Sequence, residues 1–303
     1  MTGRQFSGSF LAAALIMLTA IALYDTMGAI IKHLSAEYRA QQLAFFRNLF
    51  GLVPAVALLY CAKSWTQAGR PFYIRRWKLA LLRGLIGVAA QMCFYVSLLY
   101  MEFATATSIL FAGPLIITAL SIPILRHRIG LWRWLAVLVG FVGVLMVIRP
   151  PSDSLTWHSV LPLGAALGYA TISVTARLFD ESIPTALINL YQNLGALACA
   201  LILVIATGGF APIGAMTDWL WLAAVGTAGG VAAFCMTTAY RLTEPSSLSP
   251  FEYFGIPFSF IIGWVFFAEA PFDRLIPGVF LIVGGGLMIA WRERLLKKKG
   301  QIR

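Results

Sequence analysis

The sequence predicts an all-α integral membrane protein of ten transmembrane helices, arranged as two inverted five-helix repeats. Three observations lead there. Hydrophobic residues make up 60% of the 303-residue chain, charged residues only 12%, and the mean hydropathy is +0.82, far from soluble domains, where roughly a quarter of residues are charged. Ten windows are long and apolar enough to be candidate spans, a crossing needing about 20 residues. And the chain matches itself at one constant offset of 143 positions: Gly87-Val88-Ala89-Ala90 falls on Gly230-Val231-Ala232-Ala233, Leu99 on Leu242, Phe111 on Phe254, Pro114 on Pro257, Gly143 on Gly286 and Arg149 on Arg292. The repeats are expected at 1–150 and 151–303, the second ending in a basic tail. Five spans per repeat is an odd number, so the second copy must insert upside down.

In chain order the spans are expected near 9–31, 40–61, 77–99, 104–125 and 131–148, then 157–176, 184–206, 217–240, 245–267 and 274–291. The first is longer than a signal-peptide core and lacks a small-residue cleavage site, which keeps it as a span. Only 62–76 and the tails remain for extramembrane structure.

The net charge of +11 is a matter of sidedness rather than of nucleic-acid binding. With the N-terminus placed in the cytoplasm, seventeen of the 23 basic residues fall in inside loops and tails, among them Arg75, Arg76, Arg126, Arg128, Arg177, Arg241 and Lys297 to Lys299. Only Lys32, Arg39, Arg149 and Arg274 fall outside. This is the positive-inside asymmetry, with both termini cytoplasmic, and a bacterial inner membrane is the expected location. The lysine run reads as an anchor beside anionic headgroups.

Cys61, Cys93, Cys199 and Cys235 lie in or beside apolar helices without metal-like spacing. His33, His127 and His158 are scattered, and there is no HExxH, GxSxG or P-loop. No enzyme activity, metal or cofactor is expected. The expected partners are a small-molecule substrate and the lipid bilayer, with no nucleic acid, the chain acting as a monomer or weak homo-oligomer.

Ionisable groups inside spans are costly and are functional candidates by default. Asp25 and Arg47 lie at similar depth, about 10 Å below the outer surface, as a gating or ligand pair or as a structural ion pair. Arg83 and Glu252 occupy an equivalent inner level, as a contact bridging the repeats or with Arg83 reaching to the interface. Arg83, Gly87, Gln91 and Tyr95 recur every four residues on one face of the third span, either lining a cavity or joining helices. Asn189, Gln192 and Asn193 form a polar stripe in the seventh span, and Ser249, Glu252 and Tyr253 in the ninth. Tyr24, Gln91, Tyr95, Phe111, Tyr169, Tyr191 and Tyr253 are the candidate substrate contacts, and Asp25, Arg47, Arg83 and Glu252 the candidate gating or coupling groups. Pro114 and Pro257, at equivalent repeat positions, are expected to kink their helices. Gly140, Gly143, Gly278 and Gly284 to Gly286 mark the fifth and tenth spans as packing helices, and Gly164 and Gly168 suit close helix contact.

Phe45-Phe46-Arg47, the stretch from Ala104 to Pro114, its counterpart from Ser246 to Pro257 followed by Glu269, and the glycine-rich fifth span of each half resemble the EamA family of the drug/metabolite transporter superfamily. The resemblance covers nearly the whole chain. It implies a central cavity lined mainly by the first, third, fourth, sixth, eighth and ninth spans and transport of small metabolites by alternating access, with YddG-type amino-acid exporters as the template. One departure is Arg126-His127-Arg128 in the first repeat, where family members often carry a glutamate. The expected function is export of amino acids or related metabolites. The alternative is uptake of a nucleoside-, cofactor- or S-adenosylmethionine-like solute, and after it a non-transporting membrane scaffold.

Overall fold

The computed structural model describes residues 5–62, 65, 66, 69, 71–100, 106, 109–126, 130–148, 158, 160–267, 280, 281, 284 and 288. The described residues form helices and turns, with no strand among them. The principal helices are α1 (Gln5–Leu34), α2 (Ala40–Cys61), α3 (Trp77–Tyr100), α4 (Gly113–Leu125), α5 (Leu131–Ile148), α6 (Val160–Thr175), α7 (Thr185–Ala206), α8 (Met216–Leu242) and α9 (Gly255–Phe267). Within them, five stretches are long and apolar enough to cross a bilayer: Phe10–Leu34, Ala40–Cys61, Trp77–Ser97, Thr185–Ala206 and Met216–Leu242. A helix falls within each of the first nine expected spans, the fourth being described as one mainly from Gly113 and the ninth divided among three shorter elements. The expected tenth, at 274–291, and Glu269 lie almost wholly outside the described residues.

The polarity is that of a membrane bundle. Val53, Leu85, Leu163, Ile202 and Leu220 point outward, whereas Gln42, Arg47, Asn48, Arg83, Gln91, Asn189 and Asn193 are buried. A surface of this kind suits lipid, and polar side chains turn inward where other polar groups can satisfy them.

Glycines let the helices approach. A Cβ on Gly226 would stand 2.2 Å from Phe50 Cβ, and one on Gly230 2.5 Å from Pro54 Cγ. Thus α8 presses its glycine face onto α2. On the other side, a Cβ on Gly84 would lie 2.3 Å from the Gln192 carbonyl oxygen, and one on Gly195 2.9 Å from that of Leu81, so α3 and α7 meet in the same manner. Backbone contact through small residues replaces the hydrophobic drive that lipid removes.

The neighbour pattern is preserved when each element is exchanged for its counterpart 143 residues away: α1 packs on α8 as α6 packs on α3, and α2 packs on α8 as α7 packs on α3. The two connecting turns sit at opposite ends of α8. Near its start, Tyr38 donates to Asp218 Oδ2 at 2.6 Å, Arg39 Nη1 donates to the Thr207 carbonyl, and Gln42 exchanges two hydrogen bonds with the Ala211 backbone, each 2.9 Å. The Tyr38–Asp218 bond holds the Tyr38 hydroxyl above its usual pKa of 10.0. Near the other end of α8, Arg241 donates to the Asp180 and Ile183 carbonyls and to Thr185 Oγ1. About 35 Å of helix separates Asp218 from Arg241.

The prolines differ from expectation. Pro114 stands at the first turn of α4, and Pro257 is the third residue of α9, which follows a four-residue helix, Pro245–Leu248, and a 3-10 segment, Ser249–Phe254. Rather than kinking a continuous helix, each proline opens a new one. A proline in the first turn lacks only an N–H that would have no intrahelical partner.

Candidate solute-binding site

Polar side chains of four helices gather around Arg47. Tyr24 from α1 hydrogen-bonds Arg47, and Tyr95 from α3 and Tyr169 from α6 lie within electrostatic range of Arg47 and Tyr24. Arg47 Nη1 donates to Asn48 Oδ1 at 2.9 Å, and Asn48 Nδ2 donates to Gln91 Oε1 at 3.2 Å. Gly229 on α8 makes room for the guanidinium, since a Cβ there would lie 3.1 Å from Arg47 Nε. Cys235 on α8 is half-buried beside Tyr24.

The cluster holds buried polar atoms that no protein group satisfies: Arg47 Nε and Tyr95 Oη are buried without a hydrogen-bond partner, and outside the cluster so is Asp25 Oδ2. Burying such a group unpaired costs about 1 to 3 kcal/mol, more when it is charged. A polar ligand or water between these helices would satisfy them. Arg47 and Tyr95 supply donors.

The expected ion pairs are absent among the described residues. Asp25 Oδ2 stands beside Gly255, 3.4 Å from where that residue's Cβ would be, while Arg47 turns to Asn48 and Tyr24. Arg83 and Glu252 also part. Arg83 is 1% exposed, donates through Nε to Gln192 Oε1 at 3.2 Å and through Nη1 to Thr175 Oγ1 at 3.5 Å, and lies over the Phe179 ring. It does not meet the carboxylate. Glu252 instead accepts a hydrogen bond from Tyr240, and its other oxygen stands near Gly113. Equal depth is no guarantee of pairing, because rotation about each helix axis decides which neighbour a side chain meets.

The third-span stripe divides. Gln91 and Tyr95 enter the cluster, Gly87 packs against Ile172 of α6, and Arg83 faces α6 and α7. The seventh-span stripe joins helices: Asn193 Nδ2 donates to the Gly51 carbonyl of α2, and Asn189 Oδ1 accepts from Thr237 of α8. Three aromatic candidates lie elsewhere. Tyr191 donates to the Phe72 carbonyl in the segment before α3. Tyr253 is fully buried with its ring against Gly140 and its hydroxyl on the Val137 carbonyl of α5, which explains the glycine there. Phe111 packs against Tyr253 and Gly255.

Two residues were not singled out from sequence. Asn48 is fully buried and links Arg47 to Gln91; an amide beside an intramembrane arginine was its signal. Tyr240, also fully buried, holds Glu252, and nothing in its local sequence distinguishes it. Among the described residues no group of three or more His, Cys, Asp or Glu side chains is placed to hold a metal ion.

Known proteins share this plan. One crystal structure superimposes with a TM-score of 0.77 at 20% identity, over 94% of this chain and 98% of the other, which speaks for the fold alone. A riboflavin transporter of Vibrio cholerae is 29% identical over 176 residues, so the match spans 58% of this chain and 58% of that protein. An S-adenosylmethionine uptake transporter of Rickettsia bellii is 24% identical over 88% of this chain and 89% of its own length. A pseudopaline exporter of Pseudomonas aeruginosa is 26% identical over 86% and 89%. The model of the EamA-like transporter family matches twice, at residues 11–149 and 156–291. The chain therefore belongs to the EamA-like transporter family and is a small-molecule transporter of the membrane.

Proposed function

We propose that this chain is a secondary transporter for a cofactor- or nucleoside-like solute carrying an aromatic heterocycle, held at the Arg47 cluster and moved by alternating access. The observation that carries this reading is the placement of Tyr24, Tyr95 and Tyr169, from three helices, within electrostatic range of Arg47 on a fourth. Tyrosine rings offer stacking faces, Arg47 offers a cation and donor, and Gln91 and Asn48 offer amides, a set that fits a flat polar ring system. Relatives named for riboflavin and S-adenosylmethionine support it.

Amino-acid export is the second reading, favoured by one feature: the unpartnered Nε of Arg47 would suit the carboxylate of an amino acid. In either case we take the two repeats to divide near residue 150 and to be inverted, with both termini cytoplasmic in the inner membrane. The opposite placement of the two connecting turns along α8 and the preserved neighbour pattern support the inversion.

The test is counterflow in liposomes carrying the purified protein, with labelled riboflavin, S-adenosylmethionine and amino acids compared against protein-free liposomes. Saturable exchange of a heterocyclic solute that is lost in Arg47→Met is the expected result. Exchange of amino acids alone would transfer the conclusion to the second reading. Silence from a folded protein across all three classes would overturn both.

A further inference from the structure

At the end of the bundle that carries the Arg241 contacts lies a cleft of about 460 Å³, apart from the Arg47 cluster. Its lining includes Arg126, Arg177, Arg241, Glu181 and Phe179. These residues come from three places: the end of α4, the turn between α6 and α7, and the last turn of α8. Three arginines and one glutamate line it, so the lining carries an excess of positive charge. The arginines are not equally engaged. Arg241 spends both terminal nitrogens on Asp180, Ile183 and Thr185, and Arg177 gives Nη2 to the Arg241 carbonyl at 3.3 Å. Arg241 is thus a fixed wall that holds the α6–α7 turn and, through its own carbonyl, orients Arg177.

Arg126 completes the cleft in an unusual way. It caps α4 with φ of 55°, a left-handed backbone that among the described residues no other non-glycine adopts. Glycine is the ordinary choice at such a position, so a bulky cation there signals a demand on the side chain. Behind the cleft wall, Arg83 lies over the Phe179 ring at 5.5 Å with Nη2 buried and unpartnered. That adds to the positive potential from the protein side.

We infer that this cleft binds a phosphate group, seated between Arg126 and Arg177 against the fixed Arg241. Planar guanidinium forks supplied by separate elements around one cleft match the oxygens of a tetrahedral dianion or of a phosphodiester. On the positive-inside reading the cleft opens at the cytoplasmic surface, at headgroup level. The phosphate therefore has two possible sources, a phospholipid headgroup or a soluble phosphate compound.

The experiment uses the full-length protein, delipidated in a neutral detergent. Binding of inorganic phosphate is read by thermal shift at constant ionic strength with chloride as the reference, and binding of phosphatidylglycerol by native mass spectrometry with phosphatidylcholine as the reference. The site predicts that at least one probe binds wild type in preference to its reference, and that Arg126→Gln and Arg177→Gln each weaken it about tenfold, the value of a lost charge-assisted contact. Arg126→Lys and Arg177→Lys keep the charge and retain part of the binding. Phosphate binding without lipid retention assigns the soluble source, and preferential lipid retention the headgroup. Binding of neither probe above its reference, or equal binding by wild type and the folded double Gln variant, overturns the site.

Discussion

The first and second halves of the chain share a scaffold but not its chemistry. At the 143-residue offset, Asp25 corresponds to Gly168, Arg47 to Leu190, Arg83 to Gly226, Gln91 to Phe234 and Tyr95 to Thr238. The glycine-mediated contacts of α3 on α7 and of α8 on α2 are one kind of contact made twice, each between the two halves, whereas Asp25, Arg47 and Arg83 all fall in the first. Packing is constrained wherever two helices must touch, so it persists in both copies. Binding needs one asymmetric solute to be held once, and one copy is free to specialise while the other supplies complementary walls.

The sharpest way to break this comparison is to treat counterpart positions alike. Arg47→Met removes a buried, hydrogen-bonded charge that the cluster is built around, an effect of about 2 to 5 kcal/mol on binding; counterflow is expected to fall by at least about 30-fold while the protein remains folded. Leu190→Met, its counterpart, is a volume-conserving change expected to cost under about 1.5 kcal/mol of stability and to leave counterflow near wild type. Comparable losses from both would erase the functional asymmetry.

The second prediction tests the shared scaffold. Alanine at Gly84 or at Gly226 places a methyl group against neighbouring backbone or Cβ atoms at 2.3 Å or 2.2 Å. Each is expected to destabilise by about 1 to 3 kcal/mol through overpacking, outweighing the roughly 1 kcal/mol that alanine gains in an open helix. Thermal unfolding in detergent should show similar losses at the two sites. A stabilised variant at either would mean that its contact is not shared scaffold.

A smaller effect separates ligand handling from helix joining at Gln91. Gln91→Leu removes the acceptor for Asn48, which keeps its bond to the Ala44 carbonyl, so the stability cost is about 1 kcal/mol. Counterflow is expected to drop more than protein yield does. Equal loss of both would make Gln91 a structural link only.

Much of the architecture was legible because bilayer crossing imposes long apolar runs and because a duplicated scaffold preserves its glycines and prolines. Azimuth was not. Asp25 and Arg47, and Arg83 and Glu252, could pair by their expected depths yet meet other partners, since a quarter-turn of a helix exchanges one neighbour for another and no linear pattern records it. The aromatic set failed similarly: Tyr24, Tyr95 and Tyr169 converge, but Tyr191 and Tyr253 face a surface segment and α5. The prolines were placed correctly in the repeat but misread locally, because the sequence does not distinguish a proline inside a helix from one that begins it.

The smallest predicted effect lies at the far end of α8. Tyr38→Phe deletes the hydroxyl bonded to Asp218 and is expected to cost about 1 kcal/mol. The hydrogen bond raises the Tyr38 hydroxyl above its usual value of 10.0, so its contribution is fully present below about pH 10 and is lost as the pH rises through the elevated value. Wild type and Tyr38→Phe should therefore differ in unfolding midpoint at pH 8 and converge at strongly alkaline pH. A constant difference across that range would remove the hydroxyl from the account.

Cys235 gives the unmodified chain its own chemical probe. Its thiol stands half-buried beside Tyr24, while Cys61 lies exposed at the end of α2. A small maleimide applied from either side of a sealed vesicle would react with Cys61 at a rate set by sidedness alone, providing an internal clock. Labelling of Cys235 on that clock would time how long the solute chamber stays open to each compartment, without engineering a residue into the moving parts.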